Sequence, residues 1–573
     1  MNYDELKKNI SGEILSNESD LASYSRDASI FEVKPQLVVK PKDADDIKNL
    51  VKFVSENKST DYKLSLTARA GGSDMTGGPL NESIILDFTA YYNTLLEIQR
   101  APSEDGGWAI AEPGVWYRDF EKETLKKGML LPSYPASREL CAVGGMVANN
   151  AGGEKSLHYG KTDNYVEELN VVLSDGNEYV LKPLNVDELE QKKSQNDFEG
   201  EVYRKMHELL VKNQEIIQKA RPNVSKNSAG YALWDVLTPG SKFDPVRNKT
   251  SADHAFQASR TSNGIDLTKL FVGSQGTLGI ITKIKFRLIK PAKYSQLLVL
   301  FLKELDKVGD LVVALNKYDP ESMESYDDNT IKLTFKILPG LIKKMRLATL
   351  FRFIPDFWVI MTGGIPRLVI LTEFTGDDEE NVKRKVKNVK QEIDPRFNVK
   401  SRIITNKANV QKYWTIRRES FNLLRKHVKD KKTIPFIDDI IVRPHYLPEF
   451  LPELNKILGE YKNYMTHTIA GHPGDGNFHV IPLMNLSDEK SRQIIPELSG
   501  KVYDLVVKYG GSITAEHNDG LIRTPYLEKM YGPEVCRLFG KVKEIFDPLN
   551  IFNPGKKVNG NLDYAMEHIK TSL

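Results

Sequence analysis

Cysteine is almost missing: Cys141 and Cys536 are the two such residues among 573. Two thiols cannot build a disulfide framework, an iron–sulfur cluster or a four-cysteine zinc site, and a reducing compartment fits their scarcity. An excess charge of one sign is also missing. Lysine plus arginine is 80 against 77 acidic residues, which gives no global field for nucleic acid, so no nucleic-acid partner is expected. Met1 to Ser25 is charged and mixed, without the basic start, apolar core and small-residue cleavage site of a secretory signal. The expectation is a cytoplasmic protein, or one resting on the cytosolic face of a membrane. No strand–GxGxxG–helix unit and no GxxxxGK[ST] occurs, so neither a Rossmann dinucleotide site nor a P-loop is supported. A chain of 573 residues is too long for one core and should split into two or three domains of about 100 to 250 residues.

What is present concentrates in two short segments. Gly471-His472-Pro473-Gly474-Asp475-Gly476-Asn477-Phe478-His479 is followed by Glu516-His517-Asn518-Asp519-Gly520, together offering three imidazoles and a carboxylate. Imidazole nitrogen and carboxylate oxygen suit a borderline divalent ion, and three protein ligands leave a position open for a substrate. The bland alternative is two strand or helix ends whose histidines satisfy buried backbone groups.

Between Pro35 and Asp175, β-rich runs (Leu37 to Val39, Ser83 to Phe88, Asn170 to Ser174) alternate with a helical pattern over Asp43 to Glu56, an α+β reading. Its connectors are glycine-dense: Arg69 to Gly78 and Val143 to Gly153. Such glycines let backbone N–H groups approach an anion closely, which suits a pyrophosphate; ordinary turns are the alternative. Leu270 to Phe286 reads as strand, and Phe546 to Lys556 as turn chemistry rather than a helical tail. From about Leu297 glycine thins out, which suggests a second domain.

Taken in order, these segments resemble the FAD-linked D-2-hydroxyacid dehydrogenase branch, including D-lactate, D-2-hydroxyglutarate and glycolate enzymes, of the vanillyl-alcohol oxidase (PCMH-type FAD-binding) superfamily. The resemblance implies an α+β fold: a two-subdomain PCMH-type FAD-binding domain over 1–290 (core about 31–290), and a cap domain over 291–535 with an antiparallel sheet flanked by helices. A C-terminal segment, 536–573, would return to the FAD domain. For the cofactor it implies Arg69, Ala70, Gly71, Gly72, Ser73, Asp74, Thr76 and Gly77 in the pyrophosphate loop, then Pro135, Ser137, Gly144, Gly145, Asn149, Ala151, Gly152, Tyr159 and Gly160. Gln275, Gly279 and Ile280, in a GSQGTLG run where glutamate is usual at Gln275, and Asn553 complete that set. No histidine lies between Arg69 and Gly78, where relatives with a covalent flavin often have one, so the resemblance implies noncovalent FAD.

The same resemblance makes His472, His479 and Glu516 ligands of a divalent ion, commonly zinc, with manganese or iron as alternatives. It makes His517 the catalytic base, Arg417 the clamp on the substrate carboxylate, and Asn477 a contact to substrate or flavin. A surface-helix arginine is the alternative for Arg417. Asn518 replaces a glycine of the family's motif and tolerates a left-handed backbone better than most residues. Phe436 stands near where some 2-hydroxyglutarate enzymes place a lysine, which favours a D-lactate-like monocarboxylate. Electrons must leave to an external acceptor, a quinone, a cytochrome or an electron-transfer flavoprotein. Residues 335–361 mix bulky apolar side chains with Lys336, Lys343, Lys344, Arg346 and Arg352, which suits peripheral membrane contact but not a span. A buried hairpin or a homodimer interface is the alternative. Two rival functions stand beside the dehydrogenase: a redox-neutral flavin transferase of the alkyl-glycerone-phosphate synthase type, and a non-catalytic flavoprotein subunit.

Overall fold

The computed structural model describes residues 3–102, 106–238, 264–328, 330–332, 365–406, 409–411, 413–414, 417 and 431–571. Segment 335–361, expected to contact a membrane or a partner, lies outside them. Among the described residues, three larger sheets and one two-stranded ribbon, Leu237–Thr238 with Gly264–Ile265, organise the chain.

The first has four strands in the order Glu13–Leu15, Leu37–Lys40, Ile84–Asp87, Leu66–Arg69. The pairings of Ile84–Asp87 with Leu37–Lys40 and with Leu66–Arg69 are parallel, so both faces must be covered, and the two inner strands, LVVK and IILD, are accordingly mostly apolar. One covering element is helix Ala44–Asn57, whose buried Ile47, Leu50, Val51 and Val54 follow the 3.6-residue period. Asp43 caps it by accepting from the Asp46 N–H.

The second sheet is antiparallel, in the order Leu95–Arg100, Gly106–Ala111, Ile280–Ile289, Val166–Val172, Glu178–Leu181. Its long central strand starts ten residues later than the Leu270 of the sequence reading. Gly273, Gln275, Gly276 and Gly279 all have positive φ, so the run before Ile280 is a chain of tight turns that no extended strand can contain.

The third sheet has eight strands, the pairs all antiparallel: Lys400–Ile404, Tyr294–Leu302, Leu368–Gly376, Ser322–Asp327, Thr466–His472, Asn477–Met484 and Lys432–Thr433, with Ile440–Ile441 also on Asn477–Met484. Helix Glu379–Phe397 packs on it through Val382, Val386, Val389 and Ile393. This is a mixed α+β architecture, two smaller sheets followed by a large helix-flanked antiparallel sheet.

The chain then returns to the first sheet. Phe552 bridges Leu66 in parallel, and Phe31 bridges Ile569. A domain boundary at 536 falls inside helix Leu527–Phe546. Beyond the kink at Gly532, its Phe539 ring stands edge-on to Tyr231 at 5.8 Å.

Candidate functional site

A cavity of about 990 Å³ runs from the glycine loops to the histidine cluster. Arg69, Ala70, Gly71, Gly72, Ser73, Asp74, Pro135, Ser137, Gly144, Gly145, Asn149, Ala151, Gly152, Gln275 and Gly279 line one part, and Arg417, His472, His479, Glu516 and His517 line the other. The glycine loops fit a long anionic cofactor. A Cβ added at Gly145 would meet only Ala70 Cβ, at 3.5 Å, so the two loops face each other across open space. Other glycines pack the loops themselves: a Cβ on Gly144 would lie 2.4 Å from Pro113 Cβ and 2.8 Å from its carbonyl oxygen. Gly144→Ala is therefore expected to lower FAD content and cost about 1–3 kcal/mol of stability, read by flavin absorbance and thermal unfolding.

Several expected cofactor residues build this wall from behind instead of lining it. Thr76 is fully buried and, through its N–H and hydroxyl, holds Asp74 Oδ2 at 3.0 and 2.7 Å. Gly77, at φ 82, gives its N–H to Asp27. Ile280 points into the first core while Ile281 lines the cavity, because neighbours on a strand face opposite ways. Tyr159 and Gly160 end the short helix Ser156–Tyr159, where Gly160 abuts Asn164, outside the cavity wall. Asn553 is a clamp: its amide donates to Gly78 O and Gln275 O and accepts from Thr67 Oγ1.

The histidine cluster is built on the hairpin of Thr466–His472 and Asn477–Met484. Ala470 pairs with His479, so His472 and His479 are diagonal neighbours on one face. Their Nε2 atoms lie 3.3 Å apart, and Glu516 Oε1 lies 2.8 Å from one and 3.4 Å from the other. Three donor atoms thus converge on one point. Each imidazole is turned inward by a carboxylate at its far nitrogen: Glu324 holds His472 Nδ1, and Asp438 Oδ1 holds His479 Nδ1 at 2.9 Å. That arrangement orients ligating histidines. Asp438 Oδ2 also lies 3.0 Å from His517 Nδ1.

Asp439, His479, Glu516 and His517 can also each bring one ligand atom within 4.8 Å. Asp439 is already occupied, however. Its Oδ2 accepts from Thr514 Oγ1 and from the Glu516 and His517 N–H groups, and its Oδ1 accepts from Asn477. His472 Nε2, in contrast, faces the other two atoms of the His472–His479–Glu516 triad.

Charge also fits a divalent ion. Glu324, Asp438, Asp439, Asp475 and Glu516 are each at most 5% exposed. Among the described residues they face three permanent cations, Lys226, Arg417 and Arg523. Two negative charges remain, which buried groups do not leave uncompensated. Burial opposes charge on Glu516, but Lys226 and His472 outweigh it and hold the carboxyl well below its usual range. Burial likewise opposes charge on His479, and Asp438 outweighs it, pushing the imidazole to about 10. The protein alone thus draws a cation into the triad, as a proton or as a metal.

Asn477 does not reach the cavity. It is fully buried, and its amide donates to Asp439 Oδ1 and Ile440 O, so it shapes the loop. Arg417 does line the cavity, with Nε 2.9 Å from Glu324 Oε2. Phe436 lies in the core, and Lys432, Thr433, Ile434 and Pro435 form the nearby wall. Asn518 has φ 72, and its amide donates to Asn149 O and Gly273 O, tying the histidine loop to the cofactor loops. Sequence reasoning missed Glu324, Lys226 and, close after Phe436, Asp438 and Asp439.

Two family models match: the FAD binding domain over residues 35–182 and the FAD linked oxidases, C-terminal domain, over residues 291–557. The D-2-hydroxyglutarate dehydrogenase of Escherichia coli (strain K12) is 26% identical over 557 residues, covering 96% of this chain and 51% of that relative. The chain spans about half the length of the first curated relatives it matches. The D-lactate dehydrogenase of Archaeoglobus fulgidus is 26% identical over 526 residues, covering 91% of each. Among solved structures, p-cresol methylhydroxylase with substrate bound aligns at TM-score 0.65 and 15% identity, covering 98% of this chain and 96% of that one. That likeness is one of fold.

Proposed function

The chain belongs to the FAD-linked oxidases of the PCMH type, and from that premise we propose that it oxidises a D-2-hydroxy acid to the 2-oxo acid. The observation that carries the proposal is the convergence of His472 Nε2, His479 Nε2 and Glu516 Oε1 at the end of a cavity whose other part is lined by the glycine loops. Noncovalent FAD, when bound, supplies a two-electron acceptor for hydride. A divalent ion at the triad, zinc by ligand type with manganese or iron as alternatives, supplies positive charge that lowers the hydroxyl pKa of a chelating 2-hydroxy acid.

The chain's own residues do the rest. Arg417 receives the substrate carboxylate, a task suited to a planar donor, and Glu324 fixes its Nε side. His517 takes the hydroxyl proton. Asp438 Oδ2, 3.0 Å from His517 Nδ1, raises the imidazole's basicity against the effect of burial. The acid loses its Cα hydride and leaves as the 2-oxo acid.

Phe436, in the core, does not limit the far end of the substrate, and Lys432 in the cavity wall allows a dicarboxylate beside a D-lactate-like acid. A stopped-flow panel of D- and L-2-hydroxy acids, watching flavin bleaching, tests the reading. Selective bleaching by a D-acid, slowed by a chelator that does not release FAD, is expected. A protein that stays colourless with FAD, or that no 2-hydroxy acid reduces, would overturn it.

The transferase reading lacks its expected triple-histidine run, and a non-catalytic subunit would leave the whole carboxylate-backed triad idle. Two cysteines cannot carry electrons onward, so a quinone, cytochrome or electron-transfer flavoprotein is the acceptor class. No helix among the described residues is long and apolar enough to cross a membrane. Peripheral docking through 335–361 is proposed from its five cations and apolar residues. Co-sedimentation with anionic liposomes that weakens with salt is the expected result.

A further inference from the structure

Lys226 lies on a strap between helix Gln214–Lys219 and the short helix Leu233–Asp235. It is 1% exposed, an expensive place for an ammonium unless partners compensate. Its Nζ stands 3.0 Å from Asp475 Oδ2 and 3.6 Å from Glu516 Oε2. Those two carboxylates supply the compensation. The strap cannot slide. Lys161 Nζ donates to Asn227 O and Ser228 Oγ, Lys557 Nζ donates to Ser228 O and Gly230 O, and Ser225 Oγ donates to Asp475 Oδ1.

The two oxygens of Glu516 therefore have different surroundings. Oε1 faces both imidazole nitrogens. Oε2 has no hydrogen-bond partner among the described residues, and its nearest fixed charge is Lys226. Gly152 closes the other side, since a Cβ there would lie 2.8 Å from Oε2. A carboxylate can bind a metal through one oxygen or two, and a cation beside one oxygen opposes the second mode.

We propose that Lys226 is a positioning residue that holds Glu516 Oε2 outside the coordination sphere, so that the ion receives Oε1 alone and a position stays open for the hydroxy acid. The inference rests on the metal reading above. Asp475 acts in the opposite sense: its charge draws Lys226 away from Glu516.

The test is Zn2+ affinity of the FAD-loaded protein, by competition with a chromophoric chelator, beside the acid concentration that half-maximally bleaches the flavin. Lys226→Met should bind Zn2+ about tenfold more tightly and need about tenfold more acid. Asp475→Asn should bind Zn2+ about tenfold more weakly. Opposite signs are the expected result, because loosened packing alone would weaken Zn2+ binding in both variants. Equal signs, or wild-type affinity in both, overturn the inference. If Lys226→Met fails to fold, Lys226→Arg should keep wild-type affinity while Asp475→Asn loses it, and any other pattern overturns the inference. Wild-type protein that takes up no Zn2+ removes the metal reading itself, and this inference with it.

Discussion

His517→Gln is expected to slow substrate-driven flavin bleaching by roughly 10²- to 10⁴-fold, the usual range for a general base, while FAD and ion content stay at wild-type levels. The three imidazoles differ in what they face. The side chains of His472, His479 and His517 are 8%, 12% and 24% exposed, so His517 is the one most open to the cavity. Its ring stacks on His479 at 5.0 Å and 16°, and Asp438 Oδ2 lies 3.0 Å from its Nδ1. Glutamine keeps a donor near Asp438 but offers no basic nitrogen. A fourth-ligand role for His517, which its place near Asp439, His479 and Glu516 would permit, predicts a different result: the ion would be lost along with the rate. Measuring bound metal and single-turnover bleaching on the same sample separates the two.

The parts of the site that were legible in the sequence are those where one short segment carries both the turn and the ligand. In Gly471 to His479 the histidines themselves are local to one glycine-rich segment, and the cross-strand register, Ala470 opposite His479, then puts both on one face. Helix Ala44–Asn57 was legible for a similar reason, its cap and apolar period being local. Glu324 was not. It lies 148 residues before His472, on a strand with no motif around it, and only sheet pairing with Thr466–His472 brings the two elements together. Lys226 reads as an ordinary loop lysine, and nothing local says that it is buried. Asp438 sat in a run inspected for Phe436, yet Phe436 is core and the aspartate carries the electrostatics. Ile280 was chosen where Ile281 faces the cavity, because the strand's phase depends on a register set by positive-φ turns before it. The sequence thus shows the atoms that touch the reaction more readily than those that aim them.

Glu516→Gln should weaken Zn2+ binding on the order of 10²- to 10³-fold, since apparent binding free energies of roughly 10–16 kcal/mol are shared among a few ligands. The amide is nearly isosteric but uncharged, so the change removes attraction more than shape. It also leaves Lys226 with Asp475 as its remaining close carboxylate and cuts the uncompensated negative charge of the cluster, which removes part of the reason for an ion to bind. The FAD loops should keep their hydrogen-bonded links to this loop, which run through Asn518, to Asn149 O and Gly273 O, and through the Gly520 N–H to Gln275, whereas Glu516 only packs beside Gly152, where a near-isosteric amide fits. The expected protein is yellow, folded and ion-poor, and the acid no longer bleaches it. Replenishing Zn2+ to millimolar levels should restore part of the bleaching, which a folding defect would not allow. Full bleaching by a Glu516→Gln protein shown to be free of metal would mean that the triad holds a proton instead of an ion, with His479, already pushed to about 10, as its carrier.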